Sequence, residues 1–313
     1  MKLITQQQII DLGISPKDCI RWVTESFKMK YDCILPHKNS LKPFGEVFYN
    51  TMPCYIPGTV NRFGVKEVSR YPMEKPSLNS ELLLYDGNNG RLLALMDANW
   101  ITAMRTGAVA SLAINTLKSS TASVYSFIGL GNTARATLLC LLETVNTPIT
   151  VVLMEYKGQE QLFMKRFEQY SNVHFETVSD HKDLVSRADV VVSSVTAATE
   201  LIAPDECYGE GCLVVPIHTR GFQNCDLFFD KVFADDTAHV HEFKYFDRFR
   251  KFAELSQVLL GKTPGRENDK ERILSYNIGI ALHDICFASK IYDALESKVP
   301  DVPFPKIKEK FWI

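Results

Sequence analysis

The sequence predicts an α/β protein in which a doubly wound parallel sheet follows a smaller α+β domain. Strands and helices alternate from residue 119 to about residue 285, which is typical of a parallel sheet with helices on both faces. The first 118 residues instead contain short strand-like runs broken by proline and glycine. A chain of 313 residues also has room for two domains of roughly 100–200 residues each.

The smaller domain is predicted to contain a helix, followed by an antiparallel or mixed sheet. The helix should begin at Pro16, which suits the first helical position, and end near Lys30. Ser15 is a good N-cap, and Asp18 can complete a capping box with it. Asp-Gly-Asn-Asn-Gly at 86–90 predicts a hairpin turn. The expected strands are Glu46–Thr51, Phe63–Val68, Glu81–Tyr85 and Leu92–Met96.

The larger domain follows a helix that is expected from Thr106 to Leu117 and is opened by Arg105. A last helix, from Asp284 to about Glu296, can return to the first domain. We therefore expect residues 1–118 and 286–313 to form one domain and residues 119–285 the other. The expected strands of the larger domain are Ser123–Ile128, Ile149–Met154, Val173–Thr177, Asp189–Ser194, Leu213–Ile217 and Lys231–Ala234. Its expected helices run from the glycine-rich turn after the first strand to about Val145, over Gln159–Tyr170 and over Asp180–Arg187.

Composition excludes several classes of protein. Hydrophobic residues make up 46% of the chain and charged residues 23%, so the chain is not wholly disordered. A formal net charge of −2 is unlike the broad positive charge of a nucleic-acid-binding protein. No apolar run reaches the roughly 18 residues of a membrane span, and the first residues do not form a signal peptide. We expect a cytoplasmic protein that binds neither nucleic acid nor membranes.

The eight cysteines and seven histidines do not predict a metal site. No cysteine pair forms C-x-x-C, and Cys207 and Cys212 have no second pair at zinc-finger spacing. We interpret the cysteines as free thiols in a reducing compartment. His239 and His241 would share one side of a strand, but no carboxylate-rich helix accompanies them, so we expect no metal.

A glycine-rich turn is the most informative local motif. Gly129 and Gly131 follow a short apolar strand, and Ala134 occupies the third small position of a G-x-G-x-x-A pattern. Such a turn lets the backbone approach a pyrophosphate, while the first N–H groups of the next helix face the anion. Asn132 and Thr133 lie at that helix start and complete the candidate cofactor-binding turn. An S-adenosylmethionine site or a tight turn without a ligand are the competing interpretations.

Glu155 ends the next strand, where a carboxylate can bind the ribose hydroxyls of a dinucleotide. A carboxylate there repels a 2′-phosphate, so Glu155 favours NAD(H) over NADP(H). Lys157, two residues on, weakens that inference.

Cations in the first domain form a second candidate site. Lys66 lies within an apolar strand, and Arg105 opens an apolar helix, where a positive charge opposes the helix dipole. Arginine can bind a carboxylate through two hydrogen bonds, and lysine can also donate a proton. A small carboxylate substrate would suit such a set, although each cation alone is more often a solvated surface charge. The set comprises Lys38, Lys42, Arg62, Lys66, Arg70 and Arg105.

A longer stretch resembles a known protein family. The run from Leu82 to Leu117, LLLYDGNNGRLLALMDANWITAMRTGAVASLAINTL, closely resembles the ornithine cyclodeaminase/mu-crystallin family. Further motifs that look like those of the family follow the same order along nearly the whole chain. They are Met52-Pro53, Gly64-Val65-Lys66, Gly129-Leu130-Gly131 and the segment from Gly279 to Asp284.

The resemblance implies a homodimeric enzyme with a Rossmann domain that binds NAD(H) or NADP(H). It also implies that the N-terminal domain supplies the dimer interface and the substrate pocket. In the family, the matches to Lys66 and Arg105 contact the substrate, as does a basic residue that Lys38 replaces here. We also count Thr196 and Gly279 among the candidate cofactor-binding residues.

Two departures from the family pattern bear on the reaction. Arg220 stands where cyclodeaminases have an acid–base aspartate, and Asn50 stands where they have a glutamate. Arginine stays protonated and cannot replace the aspartate, but it would attract a second carboxylate or a phosphate. Together with His218 and Arg62, Arg220 hints at an acidic or phosphorylated substrate.

We therefore predict an NAD(P)-dependent oxidoreductase that interconverts an α-amino acid and its imino or keto acid. Arg105, assisted by Lys38, would bind the α-carboxylate, Arg220 would add a further substrate contact, and Lys66 would donate the proton. Two alternatives stay open. One is ornithine cyclodeaminase, which forms proline and ammonia, and the other is a non-enzymatic, crystallin-like protein that binds a nucleotide.

Overall fold

The computed structural model describes residues 1–196, 198–218, 220–304 and 309–310, and these residues form two compact units. The first unit comprises residues 1–14, 32–102 and the described residues from 284 onward. The second comprises residues 15–31 and the described part of 103–283.

The first unit is built on a six-stranded sheet with the order β1-β6-β5-β4-β3-β2. Neighbouring strands are antiparallel except for β1 and β6, which are parallel. The predicted hairpin at 86–90 is confirmed, since the turn joins β5 and β6 and the carboxylate of Asp86 accepts a hydrogen bond from the N–H of Asn88 at 2.8 Å. The strands are β1 (Lys2–Ile4), β2 (Asn39–Leu41), β3 (Phe48–Ile56), β4 (Arg62–Arg70), β5 (Leu78–Asp86) and β6 (Leu92–Asp97).

The second unit contains an eight-stranded parallel sheet with the order β13-β12-β14-β11-β10-β7-β8-β9. Strand order reverses between β7 and β10, which is the position where doubly wound sheets bind ligands. The predicted fold class is confirmed. The strands are β7 (Val124–Ile128), β8 (Ile149–Met154), β9 (Val173–Val178), β10 (Val190–Ser193), β11 (Leu213–Pro216), β12 (Lys231–Ala234), β13 (Phe252–Glu254) and β14 (Ile273–Tyr276).

The helices follow the capping signals of the sequence. Ser15 Oγ accepts a hydrogen bond from the N–H of Asp18 at 3.1 Å, and Asp18 accepts one from the N–H of Ser15 at 3.3 Å, so the predicted capping box is confirmed. The helices are α1 (Gln6–Ile10), α2 (Pro16–Lys28), α3 (Asn99–Leu117), α4 (Asn132–Leu142), α5 (Gln159–Arg166), α6 (His181–Ser186), α7 (Cys225–Phe228), α8 (Leu255–Leu259) and α9 (Ala281–Leu295).

The start predicted for α3 was wrong. The helix begins at Asn99, so Arg105 lies in its second turn and does not open it. The carboxylate of Asp97 accepts a hydrogen bond from the N–H of Asn99 at 2.9 Å, which favours the earlier start. Arg105 is therefore not placed against the positive end of the helix dipole, and the dipole gives no reason to assign it a function.

The division into units also differs from the boundary expected at residue 118. Helix α2 packs within the second unit, where Ser26 Oγ lies 2.6 Å from Nδ1 of His283 and Phe27 contacts the same ring edge-on. Gly107 of α3 packs directly against the backbone of Ala136 in α4. The substrate-binding and dimerisation roles assigned to the first domain stay predictions.

No helix among the described residues combines the length and apolar character needed to cross a bilayer. The same residues contain no group of three or more histidine, cysteine or carboxylate side chains arranged to hold a metal ion. Cys207 and Cys212 are free, buried thiols.

Candidate active site

The glycine-rich turn lies where the order of the parallel strands reverses. Gly129 follows β7 with a φ of +79°, and a Cβ there would lie 2.9 Å from the backbone of Ser194 and of Val195. Ser194 Oγ donates a hydrogen bond to the carbonyl of Gly129 at 2.7 Å. The close approach of the ends of β7 and β10 therefore requires glycine at position 129.

The N-terminus of α4 is open to an anion. Gly131 is its N-cap. Among the described residues, no side chain caps the helix, and nothing beyond the adjacent chain lies within 4 Å of the position a Cβ would take at Gly131. Among the residues that the structure describes, the first N–H groups of the helix, starting at Asn132 and Thr133, lack intrahelical partners, as at any helix start. Ala134 is fully buried, so its small side chain lets α4 pack closely. These residues fit the pyrophosphate of a dinucleotide.

Glu155 and Thr196 are both exposed, after β8 and β10 respectively. Glu155 Oε1 accepts a hydrogen bond from the hydroxyl of Thr177 at 2.9 Å, which holds its carboxylate at the end of the strand. The position of Glu155 fits a contact with ribose hydroxyls. Gly279, by contrast, lies beside Arg105.

Lys66 occupies the buried face of the sheet in the first unit. Its neighbours at alternate positions of β4, Gly64 and Val68, point to the same face, and all three are buried. Lys66 itself has no exposed surface. A lysine ammonium is costly to bury unless a charge partner stabilises it.

Asp284 is that partner, and sequence reasoning did not identify it as a site residue. Its Oδ1 lies 2.8 Å from Lys66 Nζ, and neither side chain has any exposed surface. Gly64 allows this approach, because a Cβ there would lie 2.4 Å from Cδ1 of Ile285. The only sequence signal for the pair was the presence of Asp284 in the last of the family-like motifs.

Further polar atoms lie on the same face of this sheet. Asn50 Oδ1 and Arg70 Nε are buried and have no hydrogen-bond partner among the described residues. Asn50 lies opposite Val68, and Arg70 is two residues further along β4. Buried polar atoms without partners are uncommon, so this face has unused capacity to bind a polar ligand.

Arg105 is also buried, with 5% of its surface exposed. Its guanidinium packs against the Cα of Gly279, where a Cβ would lie 2.5 Å from Nη1. The N–H of Gly279 in turn donates a hydrogen bond to Oδ2 of Asp235.

The three residues that hinted at an acidic substrate differ in their charge state and surroundings. Arg220 is exposed. Burial lowers the pKa of His218 to about 4, so His218 is neutral at pH 7 and does not attract an anion by charge. Arg62 donates a hydrogen bond to the carbonyl of Ser289 at 2.9 Å and pairs with Asp293 at 2.6 Å, as a structural contact of α9.

His218 has a defined tautomer in this arrangement. The N–H of Arg220 donates to its Nδ1 at 3.3 Å, so the proton lies on Nε2, 2.7 Å from Ser193 Oγ.

Lys38 is half-buried and lies directly before β2 in the first unit.

Comparison with known proteins identifies the family. The model of the ornithine cyclodeaminase/mu-crystallin family matches residues 40–299. The chain belongs to this family. The match confirms the resemblance predicted from Leu82–Leu117, and it includes Lys66, Arg105 and Asp284, whereas Lys38 lies just before it.

Individual proteins are similar to this chain along most of their length. The nodulation efficiency protein NfeD of Rhizobium meliloti is 27% identical over 272 residues, 83% of this chain and 84% of that protein. The Delta(1)-pyrroline-2-carboxylate reductase of Bacillus cereus is 27% identical over 273 residues, 79% of this chain and 82% of that protein. An archaeal alanine dehydrogenase, solved as a dimer with bound NAD, has a TM-score of 0.84 at 22% identity and covers 97% of this chain and 99% of its own.

Proposed function

We propose that this member of the ornithine cyclodeaminase/mu-crystallin family is an NAD(P)-dependent oxidoreductase that interconverts an α-amino acid and its imino or keto acid. The observation that carries the proposal is the buried ion pair of Lys66 and Asp284. A fully buried lysine in a sheet interior contributes little to stability, so a chemical role explains it better. The similarity to a pyrroline-2-carboxylate reductase supports the same reaction class.

Lys66 is the proton donor in this proposal. Imine reduction breaks the C=N π bond and forms one C–H bond at Cα and one N–H bond. The nicotinamide ring supplies the hydride when it is bound and is oxidised. Lys66 Nζ gives its proton to the substrate nitrogen and regains one from water, while the Asp284 carboxylate keeps the ammonium oriented.

Arg105 binds the α-carboxylate of the substrate, and Lys38 assists it. A guanidinium presents paired N–H donors that match the two oxygens of a carboxylate. Because Arg105 is almost fully buried, its ion pair with the substrate is screened little by water. Arg220, which is exposed, is proposed as a contact for a polar group of the substrate side chain.

NAD(H) is the proposed cofactor in preference to NADP(H). The turn at Gly129–Gly131 and the uncapped start of α4 take the pyrophosphate, with Thr196 contributing at the end of β10. Glu155 binds the ribose hydroxyls and disfavours a 2′-phosphate. No step of this assignment requires a metal ion.

A homodimer is the proposed assembly. The outer face of the first unit's sheet carries a continuous apolar row across five strands, set by the pairing register. Such a face is a candidate for burial against a second copy of the chain. The archaeal alanine dehydrogenase of the same fold is a dimer. Buried thiols outside any disulfide, such as Cys207 and Cys212, suit the proposed cytoplasmic location. The row comprises Pro53, Val65, Leu83, Leu95 and Leu3.

The test is an assay of NADH and NADPH oxidation against cyclic imino acids and against keto acids mixed with amines. We expect turnover of at least one imino acid, with a higher kcat/KM for NADH than for NADPH. Proline formed from ornithine with added NAD would instead identify a cyclodeaminase. Tight NADH binding without turnover of any imino acid would favour the non-enzymatic alternative.

A further inference from the structure

The guanidinium of Arg105 lies directly on the backbone of Gly279. The three atoms nearest to a Cβ built at Gly279 all belong to this guanidinium, with Nη1 at 2.5 Å, Nη2 at 3.0 Å and Cζ at 3.2 Å. Any side chain at position 279 would therefore occupy the volume of the guanidinium. Gly279 also has a φ of +95°, a conformation that residues with a side chain rarely adopt.

A buried carboxylate anchors the backbone at this position. Asp235 follows β12, has no exposed surface, and its Oδ2 accepts a hydrogen bond from the N–H of Gly279. The backbone N–H of Asp235 donates a hydrogen bond to the carbonyl of Tyr276 at 3.1 Å, and Asp235 Oδ1 lies 3.2 Å from Nδ1 of His239. The segment that carries Gly279 is thus tied to Asp235 by two hydrogen bonds, at Tyr276 and at Gly279.

We propose that Gly279 and Asp235 form a seat that positions the Arg105 guanidinium for the substrate carboxylate. Gly279 is then a positioning residue that acts through Arg105, a different role from the cofactor contact expected from sequence. The inference rests on the proposed function, since Arg105 is taken there as the carboxylate-binding residue. Two N–H donors match a carboxylate only in one orientation of the guanidinium plane, and the seat sets that plane.

If Gly279 and Asp235 form this seat, Gly279→Ala should displace the Arg105 guanidinium without unfolding the protein. The atoms that a methyl group would contact are the far end of a flexible side chain, which can rotate away, and not backbone. A displacement of about 1 Å in a substrate-positioning group can reduce the rate about 10²-fold. The loss should therefore appear in catalysis more than in thermal stability.

Gly261→Ala is the matched control. Gly261 also belongs to the second unit and has a positive φ of +69°, but none of the described residues beyond its chain neighbours has an atom within 4 Å of its Cβ position. Both variants place an alanine at a positive φ, and only Gly279→Ala collides with Arg105. We expect similar Tm values for the two variants, unchanged NADH affinity in both, and kcat/KM for the imino acid about 100-fold lower only in Gly279→Ala.

A double-mutant comparison tests whether Gly279→Ala lowers activity through Arg105. In an Arg105→Ala background, Gly279→Ala should lower kcat/KM no further, because the group that it displaces is already absent. A further loss of similar size in that background would contradict a seat for Arg105, as would a Gly279→Ala enzyme that is as active as Gly261→Ala.

Chemical labelling tests the seat without relying on catalysis. Phenylglyoxal, which modifies accessible arginines, should label Arg105 slowly in the wild type and in Gly261→Ala, and several-fold faster in Gly279→Ala. Equal labelling of all three proteins would overturn the seat. If labelling follows the expectation while the wild type turns over no imino acid, the seat stands and the proposed function fails.

Discussion

At the scale of single residues, the pair Lys66–Asp284 separates a chemical role from a stabilising one. Each buried ion costs several kcal/mol of desolvation, and their attraction roughly repays that cost. Apolar side chains of similar size would hold the sheet against α9 equally well. The pair therefore adds little net stability to the fold, and proton transfer is the role that we propose for it.

Replacement of Lys66 by methionine tests that role. Lys66→Met keeps much of the side-chain volume and removes the transferable proton, so kcat/KM for the imino acid should fall about 10²–10⁴-fold. The variant also leaves the Asp284 charge buried alone, so its free energy of unfolding should fall by about 3–5 kcal/mol. Steady-state kinetics and urea denaturation measure the two effects.

Lys231→Met is the control for that experiment. Lys231 is likewise buried and ion-paired, with its Nζ 2.6 Å from Glu267 and 3.0 Å from Glu271. We expect a comparable loss of stability with kcat/KM retained within a few-fold. Equal loss of activity in both variants would show that Lys66 acts only through stability.

Part of the candidate site was predictable from sequence because its residues break a local pattern. Lys66 interrupts an apolar strand, and Gly129 and Gly131 follow a buried strand, so both features are visible within a few residues. The partnership of Lys66 with Asp284 was not predictable, since it joins distant parts of the chain. The neutral state of His218 depends on burial, which a sequence does not display.

At the scale of elements, the contact between α3 and α4 depends on one glycine. A Cβ at Gly107 would lie 2.4 Å from the carbonyl carbon of Ala136 and 2.6 Å from the N of Thr137. These are backbone atoms, which cannot rotate away. Gly107 therefore sets how closely the two helices approach, and α4 begins at the proposed pyrophosphate site.

Gly107→Ala should destabilise the protein even though alanine favours helices. Helix propensity alone would add about 1 kcal/mol of stability. Overpacking against backbone typically costs about 1–3 kcal/mol, so we expect a net loss. Urea denaturation measures the change. Gly209→Ala is the control, because in the described part of the chain only its own neighbours lie within 4 Å of its Cβ position. A Gly107→Ala protein as stable as Gly209→Ala would contradict the close packing of these helices.

Short elements limited the prediction of the fold. The long strands of the first unit and the capped helix α2 carry patterns of several residues, and both were predicted. Strands β1, β2 and β13 have three residues each and β14 has four, too few for a period to be recognised. The position of β14 between β11 and β12 is a tertiary arrangement that no local pattern encodes.

At the scale of the whole molecule, the apolar row on the first unit's sheet is the basis of the proposed dimer. Leu83 lies at its centre, paired with Val65 on one side and Leu95 on the other. A charge buried without a partner at an interface is strongly unfavourable. Leu83→Glu should therefore convert the dimer to a folded monomer, as measured by analytical ultracentrifugation.

Leu162→Glu is the control for the dimer prediction. Leu162 is 61% exposed on α5 of the second unit and is not part of the apolar row. We expect this variant to sediment as the wild type does. A wild-type monomer, or a Leu83→Glu protein that stays dimeric at the same concentration, would contradict the proposed interface.

The central claim, hydride transfer at the substrate Cα, is tested most directly by isotope transfer. NADH that carries deuterium at the transferred position of the nicotinamide C4 is incubated with the protein and a cyclic imino acid, and the product is examined by mass spectrometry. We predict an amino acid that is heavier by one deuterium at Cα, and about 10²–10⁴-fold slower formation of this labelled product when Lys66→Met replaces the wild type. A product without deuterium, or no amino acid from any imino acid tested, would contradict the claim.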